Sequence, residues 1–190
     1  MFDLRAATPR EWLDVVFADF DAFLLDHALC ERKASALGMS LVAKYPDRSA
    51  ILEPLIEFAR EELEHFHVMF KVIAARGLQL PEDAKDPYVN ELRRLATGKG
   101  PELLLDRLIT AGVIEARGCE RLMMVARALS EEPLKRTYLE LARAESRHHG
   151  LFFRLARHYF SDATIADRAA YFLDAEAKIM LRQPLRAAVH

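Results

Sequence analysis

Apolar residues recur every three and four positions along most of the chain, and the β-branched runs that mark strands are absent, so the pattern predicts helix almost throughout. Thr8, Pro9 and Glu11 supply a cap, a first-turn proline and a glutamate three residues after the cap, and should start one long helix running to about Lys44. Tyr45-Pro46-Asp47 breaks the pattern. A second helix is expected to begin between Arg48 and Pro54 and to run to Ala75, where Arg76-Gly77 stops it. Residues 77–101 (GLQLPEDAKDPYVNELRRLATGKGP) are rich in breakers, with one short helical stretch near Tyr88 to Leu95, and read as a long crossover. The third helix should span about Glu102 to Leu129. A turn follows at Ser130-Glu131-Glu132-Pro133, then a fourth helix to about Tyr159 and a fifth, capped by Ser161 or Thr164, ending near Arg182. Two hairpins of long helices joined by one crossover is the connectivity of ferritin-like bundles. The expected fold is therefore all-α: a ferritin-like four-helix bundle with a long crossover between helices 2 and 3 and an extra C-terminal helix.

The same periodicity sorts the acids by face. Steps of three, four and seven from Glu62 reach Leu55, Phe58, Ala59, His65, Phe66, Met69 and Ile73, an apolar stripe, so Glu62 and His65 point inward. Glu64 and His67 share a face with Glu57, Glu61 and Lys71 and should be solvated. On the first helix Glu31 lies among Phe20, Phe23, Leu24, His27, Gly38 and Val42. On the third, Glu115 lines up with Leu105, Leu108, Gly112, Cys119 and Leu122, whereas Glu120 shares its face with Arg117, Met124 and Arg127. Glu115 is preferred, although Glu120 would also give a workable height. On the fourth, Glu145 and His148 align with Leu134, Tyr138, Leu141, Phe152 and Leu155, and His149 falls just off that line.

Four carboxylates and two imidazoles thus face the interior as Glu31, Glu62-x-x-His65, Glu115 and Glu145-x-x-His148. Glu31 and Glu62 are 31 residues apart, and Glu115 and Glu145 are 30 apart, so each hairpin climbs and returns to about the same height. Burying an uncompensated carboxylate costs several kcal/mol, and four of them exceed a stability of roughly 5–15 kcal/mol. A cation is required. Two divalent metals would balance the charge, and an oxygen and nitrogen set without thiolate suits iron or manganese better than zinc or copper. One Glu from each of two helices with Glu-x-x-His from each of the other two is the ligand set of di-iron carboxylate bundles.

Composition narrows the setting. With 190 residues, 29% charged and 52% hydrophobic, the chain fits one domain spanning 1–190, and no run is apolar enough for a membrane span. The N-terminal MFDLRAATPREW lacks a basic-then-apolar leader, so the cytoplasm is the expected compartment. Cys30 and Cys119 form no Cys-x-x-Cys pair and are expected to be buried and reduced. The net charge of −2 leaves no global footprint for nucleic acid. Locally the balance changes: between Glu115 and Phe160 nine basic residues stand against four acids outside the ligand set. Arg117 with Arg121, and Arg143 with Arg147, are each one turn apart and are expected to form ridges for phosphates.

The wording around the ligands adds more. LLDHALCERKAS (24–35), EELEHFHVM (61–69), VIEARGCERL (113–122) and AESRHHGLFF (144–153) resemble the tRNA 2-methylthio-isopentenyladenosine hydroxylase family, MiaE, across all four core helices. The resemblance implies a non-haem di-iron monooxygenase that hydroxylates the isopentenyl side chain of a modified adenosine beside the anticodon. Its cofactor would be two iron ions, its co-substrate dioxygen and its substrate a tRNA carrying a prenylated adenosine. Glu31, Glu62, Glu115 and Glu145 would then be the oxygen ligands, and His65 and His148 the nitrogen ligands. The chain has no flavin or nicotinamide fingerprint, so electrons would come from an external reductase or ferredoxin. Similar metal sets also serve iron-handling or peroxide-scavenging ferritin-like proteins and quinone hydroxylases, and a bundle without metal is the third alternative. The absence of Cys-x-x-Cys counts against a rubredoxin-linked scavenger. The C-terminal helix, which interleaves Phe172, Leu173, Ile179 and Met180 with Asp174, Glu176 and Lys178, reads as a core-packing helix rather than a membrane anchor.

Overall fold

The computed structural model describes residues 3–83 and 85–190. Among these the regular structure is helical: α1 (Glu11–Ala18), α2 (Phe20–Lys44), α3 (Ser49–Ala75), α4 (Pro87–Arg94), α5 (Pro101–Ala128), α6 (Glu132–Ala156) and α7 (Asp162–Arg182). Contacts divide the chain into two units, one built on α1–α3 with Leu185–Val189, the other on α4–α7 with the segment ending at Arg10 and with His190.

In the first unit the expected single helix from Thr8 to Lys44 is two helices. Asp19 leaves the helical region (φ −140°, ψ 67°), and its carboxylate accepts from the Ala22 N–H at 3.1 Å. A short acidic side chain that bonds its own backbone competes with the helix, and here it restarts one. Thr8 does not cap α1; its side chain and backbone are committed elsewhere, as described below. α2 and α3 then run antiparallel. Asp21 meets Arg76, with oxygen to Nη2 at 2.7 Å, and the Ser35 hydroxyl donates to the Ala59 carbonyl at 2.7 Å. Pro54 sits inside α3 near its start. The Ala50 carbonyl, which loses that N–H partner, belongs to an exposed residue. α3 ends as its sequence indicated: Gly77 adopts φ 72°, and the N–H groups of Gly77 and Leu78 donate to Ala74 and Ile73 at 3.0 and 3.1 Å, the paired bonds of a glycine-terminated helix.

In the second unit α5 and α6 form the other antiparallel pair, and α7 and α4 pack against α5. Asp86 caps α4 by accepting from the Val89 N–H at 3.1 Å, and Ser161 caps α7 by accepting from the Thr164 N–H at 3.1 Å. α6 stops at Ala156, three residues before the expected end. The amides of His158 and Tyr159 there bond Leu155 and Ala156 at 3.3 and 3.0 Å, the tighter i to i+3 pattern of a closing turn. Asp106 on α5 accepts from Arg168 of α7 at 2.6 Å and from the Gly98 amide at 3.0 Å, tying the crossover down.

Candidate metal centre

On the first helix pair, close backbone approach sets the site. A Cβ on Gly38 would lie 2.9 Å from the Ala59 Cβ and 3.1 Å from the Leu55 carbonyl oxygen. Only glycine lets α2 and α3 cross at that distance. Further along α2, Glu31 is buried and faces the buried Glu62 and the half-buried His65 of α3. Each of the three presents a ligand atom within 4.8 Å of the others. His65 Nδ1 lies 3.4 Å from Glu62 Oε2 and 3.6 Å from Glu31 Oε2. Glu64 and His67, the rival pair, are exposed.

The second pair is held by two rungs that straddle its acids. His149 Nδ1 donates to the Gly112 carbonyl at 2.7 Å, and the Cys119 thiol donates to the Ala142 carbonyl at 3.3 Å. Between them Glu115, Glu145 and His148 are all buried, with ligand atoms within 4.8 Å of one another. His148 Nδ1 is 3.8 Å from Glu145 Oε2. Glu120 instead accepts from the Thr8 backbone at 3.0 Å and the Thr8 hydroxyl at 2.7 Å and pairs with Arg117.

Each pair of helices therefore offers two carboxylates and one imidazole, a hard-to-borderline donor set suited to a divalent metal. The electrostatics agree. Burial opposes charge on Glu31, but the hydrogen bonds from His27 and His65 outweigh it and hold the carboxyl well below the usual range. Burial likewise opposes charge on His65, yet hydrogen bonds to Glu31 and Glu62 raise it to about 10. Carboxylates that draw a proton onto a neighbouring imidazole make a place that favours a cation. The residues fit a bound metal.

Periodicity had placed His27 on the inward stripe without giving it a role. The buried His27 Nε2 sits 2.6 Å from Glu31 Oε1, which leaves Glu31 Oε2 directed at His65. The signal was available in the sequence, as a histidine one turn before an inward glutamate.

The arginine ridge on α5 requires correction. Arg117 is 0% exposed. Its guanidinium grips both oxygens of the buried Glu176 on α7, from Nε at 2.8 Å and Nη2 at 3.0 Å. It also donates to the Ala6 carbonyl at 2.9 Å and the Thr8 hydroxyl oxygen at 3.1 Å. Arg121, also buried, reaches the Thr8 hydroxyl oxygen at 3.3 Å, and the Tyr88 hydroxyl donates to Glu176 at 2.9 Å. These two arginines fasten segments within the unit and present no ridge to phosphates. Arg143 and Arg147 on α6 are exposed. Neither Cys30 nor Cys119 is in a disulfide, and both are half-buried rather than fully buried.

Comparison with known proteins places these features in context. A family model described as tRNA-(MS[2]IO[6]A)-hydroxylase (MiaE) matches residues 2–190. A tRNA 2-(methylsulfanyl)-N(6)-isopentenyladenosine(37) hydroxylase of Pseudomonas putida is 36% identical over 86% of this chain and 79% of its own length. The protein of the same name from Salmonella typhimurium is 28% identical over 94% of this chain and 83% of its own. Among solved structures, a Synechococcus protein described as having aldehyde deformylating oxygenase activity superposes with a TM-score of 0.92 at 33% identity, covering 98% of this chain and 94% of that one. The fold is thus the expected ferritin-like, all-helical one.

Proposed function

This chain belongs to the tRNA-(MS[2]IO[6]A)-hydroxylase family, and from that premise we propose that it hydroxylates the isopentenyl side chain of 2-methylthio-isopentenyladenosine beside the anticodon of tRNA. The observation that carries the chemistry is the repetition on each helix pair of two buried Glu with one His, half-buried at His65 and buried at His148. Glu31, Glu62 and His65 would hold one iron ion, and Glu115, Glu145 and His148 a second, with the chain working as a single domain in the cytoplasm. Bound iron would supply dioxygen activation, so that one oxygen atom enters a C–H bond of the prenyl group and the other leaves as water, with two electrons from an external reductase or ferredoxin and two protons from solvent.

The chain's own residues prepare that chemistry. The four carboxylates would give the metal oxygen donors, and His65 and His148 would give it nitrogen donors. His27 restrains Glu31 through one oxygen and leaves the other available. Buried apolar side chains one or two turns from the donors on the same helices, among them Phe58, Leu55, Phe152 and Leu141, limit water near them. For the prenyl tail to reach them, the adenosine has to leave its stack.

The test is direct. Iron-loaded, chemically reduced protein is incubated with isopentenylated tRNA and oxygen, and the nucleosides are weighed after digestion. A gain of one oxygen on the prenyl chain, lost in Glu62→Ala, is expected. Iron bound and oxygen consumed without that product would replace this function with a scavenging one.

A further inference from the structure

α6 carries its donors on one side and a line of arginines on the other. Glu145 and His148 are buried, whereas Arg136, Arg143, Arg147 and Arg154 are all exposed. Their spacing of seven, four and seven residues keeps them within about 40° of arc and spreads them over roughly 27 Å of helix. Of the two seven-residue gaps, the one after Arg147 is narrowed: the Arg154 guanidinium lies back over Gly150, where a Cβ would come 2.9 Å from Nη1. Among the described residues of α6, Glu140 is the one acid exposed beyond the first turn.

We propose that this arginine line is a phosphate-binding ridge that holds the RNA backbone of the substrate while the modified nucleoside enters the protein elsewhere. The proposal rests on the tRNA-hydroxylase function above. The ridge is built of guanidinium groups, whose planar fork matches phosphate oxygens in pairs. No large apolar side chain is exposed on α6, so the face lacks the wedge by which an amphipathic helix enters a lipid surface. Phosphate contacts supply affinity and register without reading sequence. A ridge on the outer side of the ligand-bearing helix is suited to that task, since it need not touch the reacting group.

The experiment measures binding of isopentenylated tRNA to the iron-loaded protein across a salt series. Wild type is compared with Arg136→Gln/Arg143→Gln/Arg147→Gln/Arg154→Gln, and with Arg93→Gln/Arg94→Gln on α4 as an exposed basic control. The ridge variant should bind at least about tenfold more weakly, with a salt slope shallower by about one for each arginine removed, and the control should match wild type. If the fourfold variant loses its far-UV circular dichroism, Arg143→Gln alone carries the test, with a slope change of about one. Equal affinity and slope in ridge variant and wild type would overturn the ridge, as would equal losses in the control, or binding of anionic phosphatidylserine vesicles in place of tRNA. Binding does not depend on turnover. Wild type that binds with the expected slope but never hydroxylates would overturn the proposed function and leave the ridge standing; wild type that hydroxylates while the ridge variant binds normally would do the reverse.

Discussion

His27 and Glu31 stand one turn apart on α2 with Nε2 and Oε1 at 2.6 Å, both buried. A carboxylate held through one oxygen presents the other in a defined direction, so a metal there does not have to order the side chain itself. His27→Phe keeps a ring of similar size and removes the donor. We expect iron(II) affinity, measured by competition with a chromophoric chelator, to fall about 10–100-fold, with part of the loss recovered in His27→Gln. Unchanged affinity in His27→Phe would show that Glu31 needs no such support.

Gly38 gives a prediction whose sign is informative. In an open helix Gly→Ala stabilises by roughly 0.5–1 kcal/mol. Here the new methyl would meet the Ala59 Cβ at 2.9 Å and the Phe58 ring at 3.0 Å, and overpacking costs about 1–3 kcal/mol. Gly38→Ala should therefore lower the melting temperature and weaken iron binding at Glu31, Glu62 and His65. A raised melting temperature would mean that α2 and α3 are not pressed together at this point.

The Arg117 and Glu176 pair should behave as a buried ion pair. Arg117→Met leaves Glu176 buried without its bidentate partner and should cost about 3–5 kcal/mol in denaturant unfolding. Arg117→Met/Glu176→Gln removes both charges, keeps an acceptor for the Tyr88 hydroxyl, and should recover much of that loss. Equal stability of the single and double variants would refute the coupling. So would a drop in tRNA binding without any loss of stability, which would restore Arg117 to the surface role that its burial denies.

Metal loading should register on each helix pair separately. Anaerobic iron(II) or manganese(II) stabilises the folded state by mass action, about 4 kcal/mol at a thousandfold excess over Kd. Glu31→Ala and Glu115→Ala should each reduce the bound metal from two ions toward one, as counted by elemental analysis. Two ions retained in both variants would remove these residues from the ligand set.

Much of this was legible in the amino-acid sequence, because helix periodicity is a local property. It assigned Glu31, Glu62, Glu115 and Glu145 to inward faces, and the near-equal spacings of 31 and 30 residues put the members of each pair at one height. Turn chemistry at Arg76-Gly77 and at Ser161 placed helix ends within a few residues. Tertiary structure alone decided the rest. Arg117 looks solvent-facing by its position beside Glu120, yet it is buried because Glu176, 59 residues away, and the segment at Ala6 and Thr8 converge on it. The same convergence commits Thr8 and Glu120 to one another. A side chain's helical face follows from its neighbours three and four residues away; whether a charge on that face meets water or a remote partner depends on which distant segment packs there, and no local pattern encodes that.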